Sequence, residues 1–204
     1  GAGVDALPES FFDKAQSVAD IARIEPYLFQ RLRDPGQVAT IGIIVGVRPG
    51  DTVRVASHGE VGSVNIIVGR NFTPADTGQN VAIVGQAYAE QYGLALGDTF
   101  TVPAERAALE DRPDPNVTVE DLTLEVVGIF RSGFVFGDNQ LFVPLDVVQR
   151  AYAQEGKISH IFITATSVEK VAQVERDLRE AFVHFTYDAL CAFEQLARRL
   201  LESA

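Results

Sequence analysis

Apolar residues along the chain follow two spacings, and the first of them predicts β-strands. Short runs rich in Ile, Val and Phe that are bounded by Gly, Pro, Asn or Asp are typical of strands. Runs of this kind occupy residues 27–32, 37–47, 65–69, 81–85, 122–130, 141–144 and 158–165, and in residues 94–102 a Gly-Asp turn leads into a further strand. Residues 51–63 fit either a short strand or one helical turn, and residues 184–189 fit a strand that closes a sheet.

The second spacing, with apolar residues three or four positions apart, predicts amphipathic helices. The first helix begins after Ser10, which has capping-box spacing to Asp13, and ends near Pro26. Further helices are predicted for residues 86–93, 145–154, 167–182 and 190–203. Strands and helices in this order predict an α+β fold.

One segment interrupts this pattern. Residues 103–121 contain three prolines and a surplus of Asp and Glu, which predicts an exposed excursion from the core. We therefore expect that deleting residues 105–114 leaves the melting temperature nearly unchanged.

Composition and charge narrow the classes of function. The chain has 204 residues, of which 47% are hydrophobic, so it can bury a sizeable core. Its formal net charge of −11 disfavours a nucleic-acid partner, because a polyanion is repelled at long range. No run of about 18 apolar residues is present that would span a bilayer. The chain begins Gly-Ala-Gly and lacks Met, which predicts a segment excised from a longer protein.

The motifs predict no catalytic, cofactor-binding or metal-binding residues. Residues 68–85 (VGRNFTPADTGQNVAIVG) lack the closely spaced glycines of a dinucleotide fingerprint and the Gly-Lys-Ser/Thr of a P-loop. Gly85 is instead interpreted as the turn between a buried strand and a helix. The lone Cys191 cannot form an internal disulfide and is interpreted as a small buried hydrophobe.

Histidine, serine and aspartate do not change this picture. The three histidines, His58, His160 and His184, lie in separate segments without ligand spacing, and His160 is expected to pack in a strand. Ser132 lacks the Gly-x-Ser-x-Gly frame of a nucleophile elbow. Asp76, Asp98 and Asp138 are interpreted as turn residues, because short carboxylates in turns commonly bond to nearby backbone amides.

The order of five segments carries more information than any single motif. These segments are VGVRP, VGRNFTPAD, VAIVGQAYAEQYGLALGDTFTV, LEVVGIFRSGFVFGDNQLFVPLDVVQRAY and the closing strand-helix pair. Together they resemble the extracytoplasmic core domain of FtsX/MacB-type ABC-transporter permeases, and the resemblance covers nearly the whole chain from Ser10 onward.

The resemblance implies two lobes within a single extracytoplasmic permease domain of residues 1–204. A porter-like lobe of strand-helix-strand units would combine residues 8–48 with residues 157–204, and a strand-rich lobe would be inserted as residues 49–156. Residues 68–85 would then be scaffold, with Gly69 and Gly85 allowing tight turns and Arg70 tying loop carbonyls.

The resemblance also implies a non-catalytic function outside the cytoplasmic membrane, on its periplasmic or extracellular side. The domain would transmit motion driven by a cytoplasmic ATPase and engage cargo such as a lipoprotein, lipid, peptide or drug, an adaptor, or a second permease copy. The parent protein would be held in the membrane by flanking transmembrane helices. It would need no cofactor.

Two alternatives from other classes remain at this point. A secreted or surface module that binds a small molecule or the cell wall would show a deep pocket with convergent polar groups. A hydrolase would show a His within hydrogen-bond reach of a Ser or Asp. The permease interpretation further predicts that the two terminal helices lie about 10 Å apart, because both chain ends would return to the membrane.

Overall fold

The computed structural model describes residues 7–33, 40–57, 60–102, 121–133 and 137–182. Within these ranges the chain forms twelve strands: β1 (Leu7–Pro8), β2 (Ile21–Arg33), β3 (Thr40–Val47), β4 (Arg54–Ser57), β5 (Glu60–Ser63), β6 (Asn65–Gly69), β7 (Val81–Gly85), β8 (Thr99–Val102), β9 (Leu122–Arg131), β10 (Gln140–Pro144), β11 (Lys157–Ile158) and β12 (His160–Ala165). Four helices accompany them: α1 (Ser10–Gln16), α2 (Gln86–Tyr92), α3 (Leu145–Ala151) and α4 (Val171–Ala181). The predicted α+β class is confirmed.

A mixed eight-stranded sheet organises the domain. Its strands lie in the order β12-β2-β3-β10-β7-β9-β6, and β8 pairs with β9. The pairs β3/β10 and β7/β9 are parallel, and the other pairs are antiparallel. Two two-stranded sheets, β1 with β11 and β4 with β5, complete the described strands.

The two faces of this sheet are covered by different elements. Alternate residues of a strand point to opposite faces, so Ile44 and Val45 of β3 belong to different hydrophobic clusters. The cluster on one face includes side chains of α1, α2 and α3, among them Phe12, Tyr88 and Val148. The cluster on the other face includes Val53 and Val55 of residues 51–57, which we call the β4 arm, and Phe72 of the loop after β6. A smaller third cluster packs α4 against α1.

The first helix is much shorter than predicted. Helix α1 ends at Gln16, and the chain becomes strand β2 at Ile21 after a turn in which Asp20 has a φ of 62°. Residues 21–24 join the sheet because β12 pairs with them, a contact between distant segments that local periodicity does not report. Pro26 lies inside β2 and does not end a helix. A proline fits at this position because pairing with β3 begins only at Tyr27.

The predicted capping box at Ser10 is wrong. Glu9 is the N-cap residue, and its side chain makes no capping hydrogen bond. The Glu9 amide donates instead to the carbonyl of Gly156, at 2.7 Å. A contact with the segment before β11 therefore fixes the start of α1.

The other predicted elements within the described residues agree with the structure apart from their ends. Residues 51–63, which fitted a strand or a helical turn, contain β4 and β5. Strand β10 hands over to α3 at Pro144, as the sequence predicts. The predicted strand at 184–189, the helix at 190–203, Cys191 and nearly all of the excursion at 103–121 lie outside the described residues, and so does the predicted distance between the terminal helices.

The division into two lobes stays a prediction. Strands of both proposed lobes share the main sheet: β2, β3 and β12 fall in one range, and β6 to β10 fall in the other. The junction between these ranges inside the sheet is the parallel pairing of β3 with β10, from Ile43↔Gln140 to Val47↔Pro144.

Candidate functional site

A buried polar cluster joins β2 to the segment that leads into β4. We call it the polar clamp and define it as Glu25, Tyr27, Thr52 and Arg54. The Glu25 carboxylate accepts from Arg54 Nε at 2.9 Å and from the Thr52 amide at 3.2 Å. The Tyr27 hydroxyl donates to the Thr52 carbonyl at 2.8 Å and accepts from the Arg54 amide at 3.1 Å. Two strand residues thus hold three backbone groups and one guanidinium.

The electrostatics of the polar clamp explain why its parts depend on each other. The Glu25 side chain is 3% exposed and the Arg54 side chain 17%, so each ion depends on the other for the interactions that water would supply. Burial, together with the nearby Glu25 carboxylate, raises the pKa of Tyr27 above its ordinary range. The phenol therefore stays protonated and keeps donating to the Thr52 carbonyl.

Neighbouring arginines extend the clamp toward the surface. Arg23 Nη1 donates to the Thr52 hydroxyl at 3.1 Å. Arg48 Nε pairs with Asp51 at 3.1 Å, and its guanidinium lies 4.5 Å from the centroid of the Phe12 ring. The turn between β3 and β4 is therefore tied both to β2 and to α1.

A second ion pair organises the loop that follows β6. Arg70 donates from Nη1 and Nη2 to the two carboxylate oxygens of Asp76, at 2.7 and 2.8 Å. The same carboxylate accepts from the Thr73 amide and hydroxyl, at 2.7 and 3.0 Å. The Arg70 guanidinium, with help from Thr73, holds the pKa of Asp76 at about 2. Arg70 also donates to the Asn71 carbonyl, which agrees with the predicted tie to a loop carbonyl.

The sheet edge at β6 and β8 is interrupted by a groove. The backbone amide of Gly97, just before β8, donates to the Val126 carbonyl of β9. The backbone amide of Arg70, just after β6, donates to the Val127 carbonyl of β9. The groove has a volume of about 400 Å³ and is lined by Gly69, Arg70, Leu96, Gly97, Glu125, Val126 and Val127. Its two charged side chains are Arg70, which is bound to Asp76, and Glu125.

The predicted turn aspartates serve backbone groups, as expected. Asp98 accepts from the Ala95 amide at 2.7 Å. Asp138 accepts from the amide and the hydroxyl of Ser132, at 2.6 and 2.7 Å. Ser132 therefore supports a loop. Asp76 also caps its turn, but its pairing with Arg70 was not predicted.

Gly85 marks a strand-to-helix turn, but for a different reason from the one predicted. Its φ of −65° is available to any residue. A Cβ atom at this position would lie 2.2 Å from the Asp138 carbonyl oxygen. The close approach of a neighbouring loop requires glycine here, whereas Gly69, with a φ of 77°, does need an unusual backbone conformation.

His160 meets the distance criterion for a hydrolase but lacks the rest of the arrangement. Its Nδ1 lies 3.0 Å from the Ser159 hydroxyl. That hydroxyl accepts from the Phe29 amide at 2.9 Å and donates to the Tyr27 carbonyl at 3.2 Å, which binds it to β2. The His160 ring packs edge-on against Phe29, and burial lowers its pKa. The pair is therefore best explained as packing between β12 and β2, the role predicted for His160.

Two structural features are absent from the described residues. No group of three or more His, Cys, Asp or Glu side chains is arranged to hold a metal ion in these ranges. None of the helices formed by the described residues is both long and apolar enough to cross a bilayer.

Comparison with known proteins decides the family. Residues 2–181 match the family model of the MacB-like periplasmic core domain. The chain belongs to this family. It is therefore an extracytoplasmic domain of a membrane-anchored ABC-transporter permease of the MacB type, a class of transporter domain and not a known enzyme class.

Solved structures agree with this assignment at the level of fold. The extracellular domain of the noncanonic ABC-type transporter YknZ from Gram-positive bacteria is similar with a TM-score of 0.60 and 15% identity, over 86% of this chain and 81% of that chain. The periplasmic region of MacB from Actinobacillus actinomycetemcomitans is similar with a TM-score of 0.58 and 14% identity, over 85% of this chain and 72% of that chain. A comparison with curated proteins gives no match.

Within this periplasmic core domain, sequence reasoning missed the polar clamp. Its signal was a single acidic residue, Glu25, in the mainly apolar segment IARIEPYLF, whose other charged residue is Arg23. A buried carboxylate in such a segment requires a partner, but spacing along the chain does not reveal that Arg54 supplies it.

Proposed function

We propose that this periplasmic core domain is a non-catalytic element that carries ATPase-driven motion from the membrane to its far sheet edge. Membership of the permease family implies an ATPase partner in general. The observation that carries the proposal further is the polar clamp, because it binds the β4 arm to β2 beside a sheet that runs continuously from β12 to β6.

A displacement applied to one strand spreads through the domain along hydrogen bonds and side-chain contacts. Strands held by regular hydrogen-bond ladders move together, and the main sheet joins both proposed lobes by such a ladder. The β4–β5 hairpin is outside this sheet; the chain connects it to β3 and β6, and side-chain contacts connect it to β2. The buried pair of Glu25 and Arg54 supplies a directional contact whose loss would leave a buried charge.

This function includes the two-lobe organisation and its partners as parts of the proposal. Residues 8–48 with 157–204 would receive motion at the membrane, and residues 49–156 would present it to cargo, an adaptor or a second permease copy. Residues 68–85 support this as scaffold, since Arg70 and Asp76 fix the loop after β6.

The test uses the full-length permease with its ATPase in nanodiscs. Cys191→Ser removes the thiol of this domain, any cysteines elsewhere in the permease are replaced likewise, and His58→Cys, between β4 and β5 in the chain, carries a donor dye. Energy transfer to acceptor-labelled lipid headgroups reports the height of residue 58 above the membrane. We expect the height to change on trapping with ATP and vanadate. In the double variant Glu25→Gln/Arg54→Gln the change should shrink while ATP hydrolysis continues.

The matched control removes an exposed ion pair. Lys170 binds Asp20 at 2.9 Å, with side chains 48% and 34% exposed, and exposed pairs contribute little to stability. Asp20→Asn/Lys170→Gln should retain the full change in height. An unchanged height in the parent protein, or an equal change in the unclamped double variant, would refute transmission through the polar clamp.

A further inference from the structure

Strands β6 and β8 form one interrupted outer edge of the main sheet. Strand β9 pairs with β7 on one side over residues 125–130. On its other side β9 pairs with β6 over residues 128–131 and with β8 over residues 122–125. The two strands therefore lie end to end, and in the described part of the chain no strand pairs with their outer side.

This edge exposes large apolar side chains. Ile67 and Val68 of β6 are 40% and 45% exposed, and Leu96, which lies beside Gly69, is 49% exposed. Natural edge strands usually carry Lys, Pro or inward-pointing charges that prevent pairing with another chain. The sequences NIIVG and TFTV carry none of these, and a register shift at Ile67 is the one protective irregularity in this pairing.

The groove beside this edge holds an exposed carboxylate. Among the described residues, the Glu125 side chain has no hydrogen-bond or ion-pair partner, and it is exposed. The other charge in the groove, Arg70, already makes a two-pronged contact with Asp76. Glu125 interacts with the Arg70 guanidinium electrostatically but without a hydrogen bond, so its oxygens can still accept from a cation, in a chain whose formal charge is −11.

We propose that the edge formed by β6 and β8 binds an extended segment of a partner protein that alternates apolar residues with Lys or Arg. Backbone groups of the segment pair with the outer side of β6, and its apolar side chains contact Ile67, Val68 and Leu96. A Lys or Arg side chain of the segment enters the groove and pairs with Glu125.

Charge distinguishes this occupant from a second copy of the chain. Two copies joined edge to edge would bring two acidic domains together, and each would leave its Glu125 without a cation. A basic partner segment satisfies the same backbone edge and neutralises the carboxylate. This surface is independent of the polar clamp, so the inference does not depend on the transmission of motion.

The probes are three dye-labelled peptides of equal length in which Val alternates with Lys, Gln or Glu. Fluorescence anisotropy measures their dissociation constants for the 204-residue chain. We expect the Lys peptide to bind about tenfold or more tightly than the Glu peptide, with the Gln peptide between them. Amide chemical shifts of the unmodified chain should change along β6, β8 and the groove.

Two variants and two matched controls test the contacts. Ile67→Lys places a charge on the edge and should weaken the Lys peptide about tenfold or more, whereas Val168→Lys, at a 58% exposed position remote from the edge, should not. Glu125→Gln should reduce the preference for Lys over Gln, whereas Glu155→Gln should keep it.

Each outcome supports or overturns the proposal. Weak binding of all three peptides, equal binding of the Lys and Glu peptides, or shift changes away from β6 would overturn it. Sedimentation that shows a dimer dispersed by Ile67→Lys would assign the edge to a second copy instead. Circular dichroism and melting curves of every variant separate loss of binding from loss of the fold, and the shift map does not depend on any variant.

Discussion

Replacing Asp76 by Asn should destabilise the domain in a way that depends on pH. In the folded chain the Arg70 guanidinium and Thr73 hold the pKa of Asp76 at about 2, against an ordinary value of 3.8. This difference corresponds to about 2.5 kcal/mol of stability at neutral pH. The Arg70 side chain is 48% exposed, so solvent screening reduces the expected loss to about 1–2 kcal/mol.

The sign of the pH dependence follows from the lowered pKa. The unfolded chain binds a proton at Asp76 more readily than the folded chain, so the stabilisation is complete well above pH 3.8. It is lost as the pH falls from about 4 toward 2, and about half is gone at pH 3. At low pH the unmodified chain, with Asp76 protonated, and the Asp76→Asn variant therefore approach the same free energy of unfolding.

Urea denaturation followed by circular dichroism measures this effect at pH 7, 5 and 3. The free-energy difference between the unmodified chain and Asp76→Asn should be largest at pH 7 and fall to roughly half at pH 3. Asp13→Asn is the control, because Asp13 is exposed on α1 and its carboxylate makes no ion pair with another described residue. A difference that is constant with pH, or equal for both variants, would refute the role given to the ion pair.

Three further predictions concern packing and charge. Gly85→Ala should lower the free energy of unfolding by about 1–3 kcal/mol or more in urea denaturation, because its Cβ would meet the Asp138 carbonyl oxygen. Gly93→Ala is the control: there is open space around it but its φ is 65°, so it should lose only about 1 kcal/mol. Glu25→Gln should lower the free energy of unfolding by about 3 kcal/mol, because it leaves the Arg54 guanidinium without its anion. Adding Arg54→Gln should recover part of this loss. If the losses of the two single variants simply add in the double variant, the coupling is contradicted. Deleting residues 105–114 should leave the melting temperature nearly unchanged in a thermal scan, and a large decrease would show that this segment packs.

Local sequence determined most of the strands and the fold class. The VAIVG run became β7, and the Gly93 stop ended α2 with a left-handed residue, because turn residues and β-branched runs act through their own backbone preferences. The handover at Pro144 was equally local. The order of such segments was also enough to predict the permease family, because the segments together cover nearly the whole chain.

Tertiary structure decided what depended on residues far apart in sequence. Residues 21–24 have a helical spacing of apolar side chains, yet they form a strand because β12 lies beside them. Gly85 is required by the backbone of Asp138, more than 50 residues later. Neither requirement can be read from a local window, because each is a steric or hydrogen-bonding demand made by another segment.

The candidate sites divide in the same way. The sequence by itself determined that the turns carry Asp and Gly and that the domain is strongly acidic, since these are properties of single residues and of their sum. Only the fold decided that Glu25 meets Arg54 in a buried pair and that Glu125 lies exposed beside an apolar sheet edge, without a hydrogen-bond or ion-pair partner among the described residues. The free energy of a charge depends on burial and on its nearest partner, and both are fixed only when strands distant in sequence pack together.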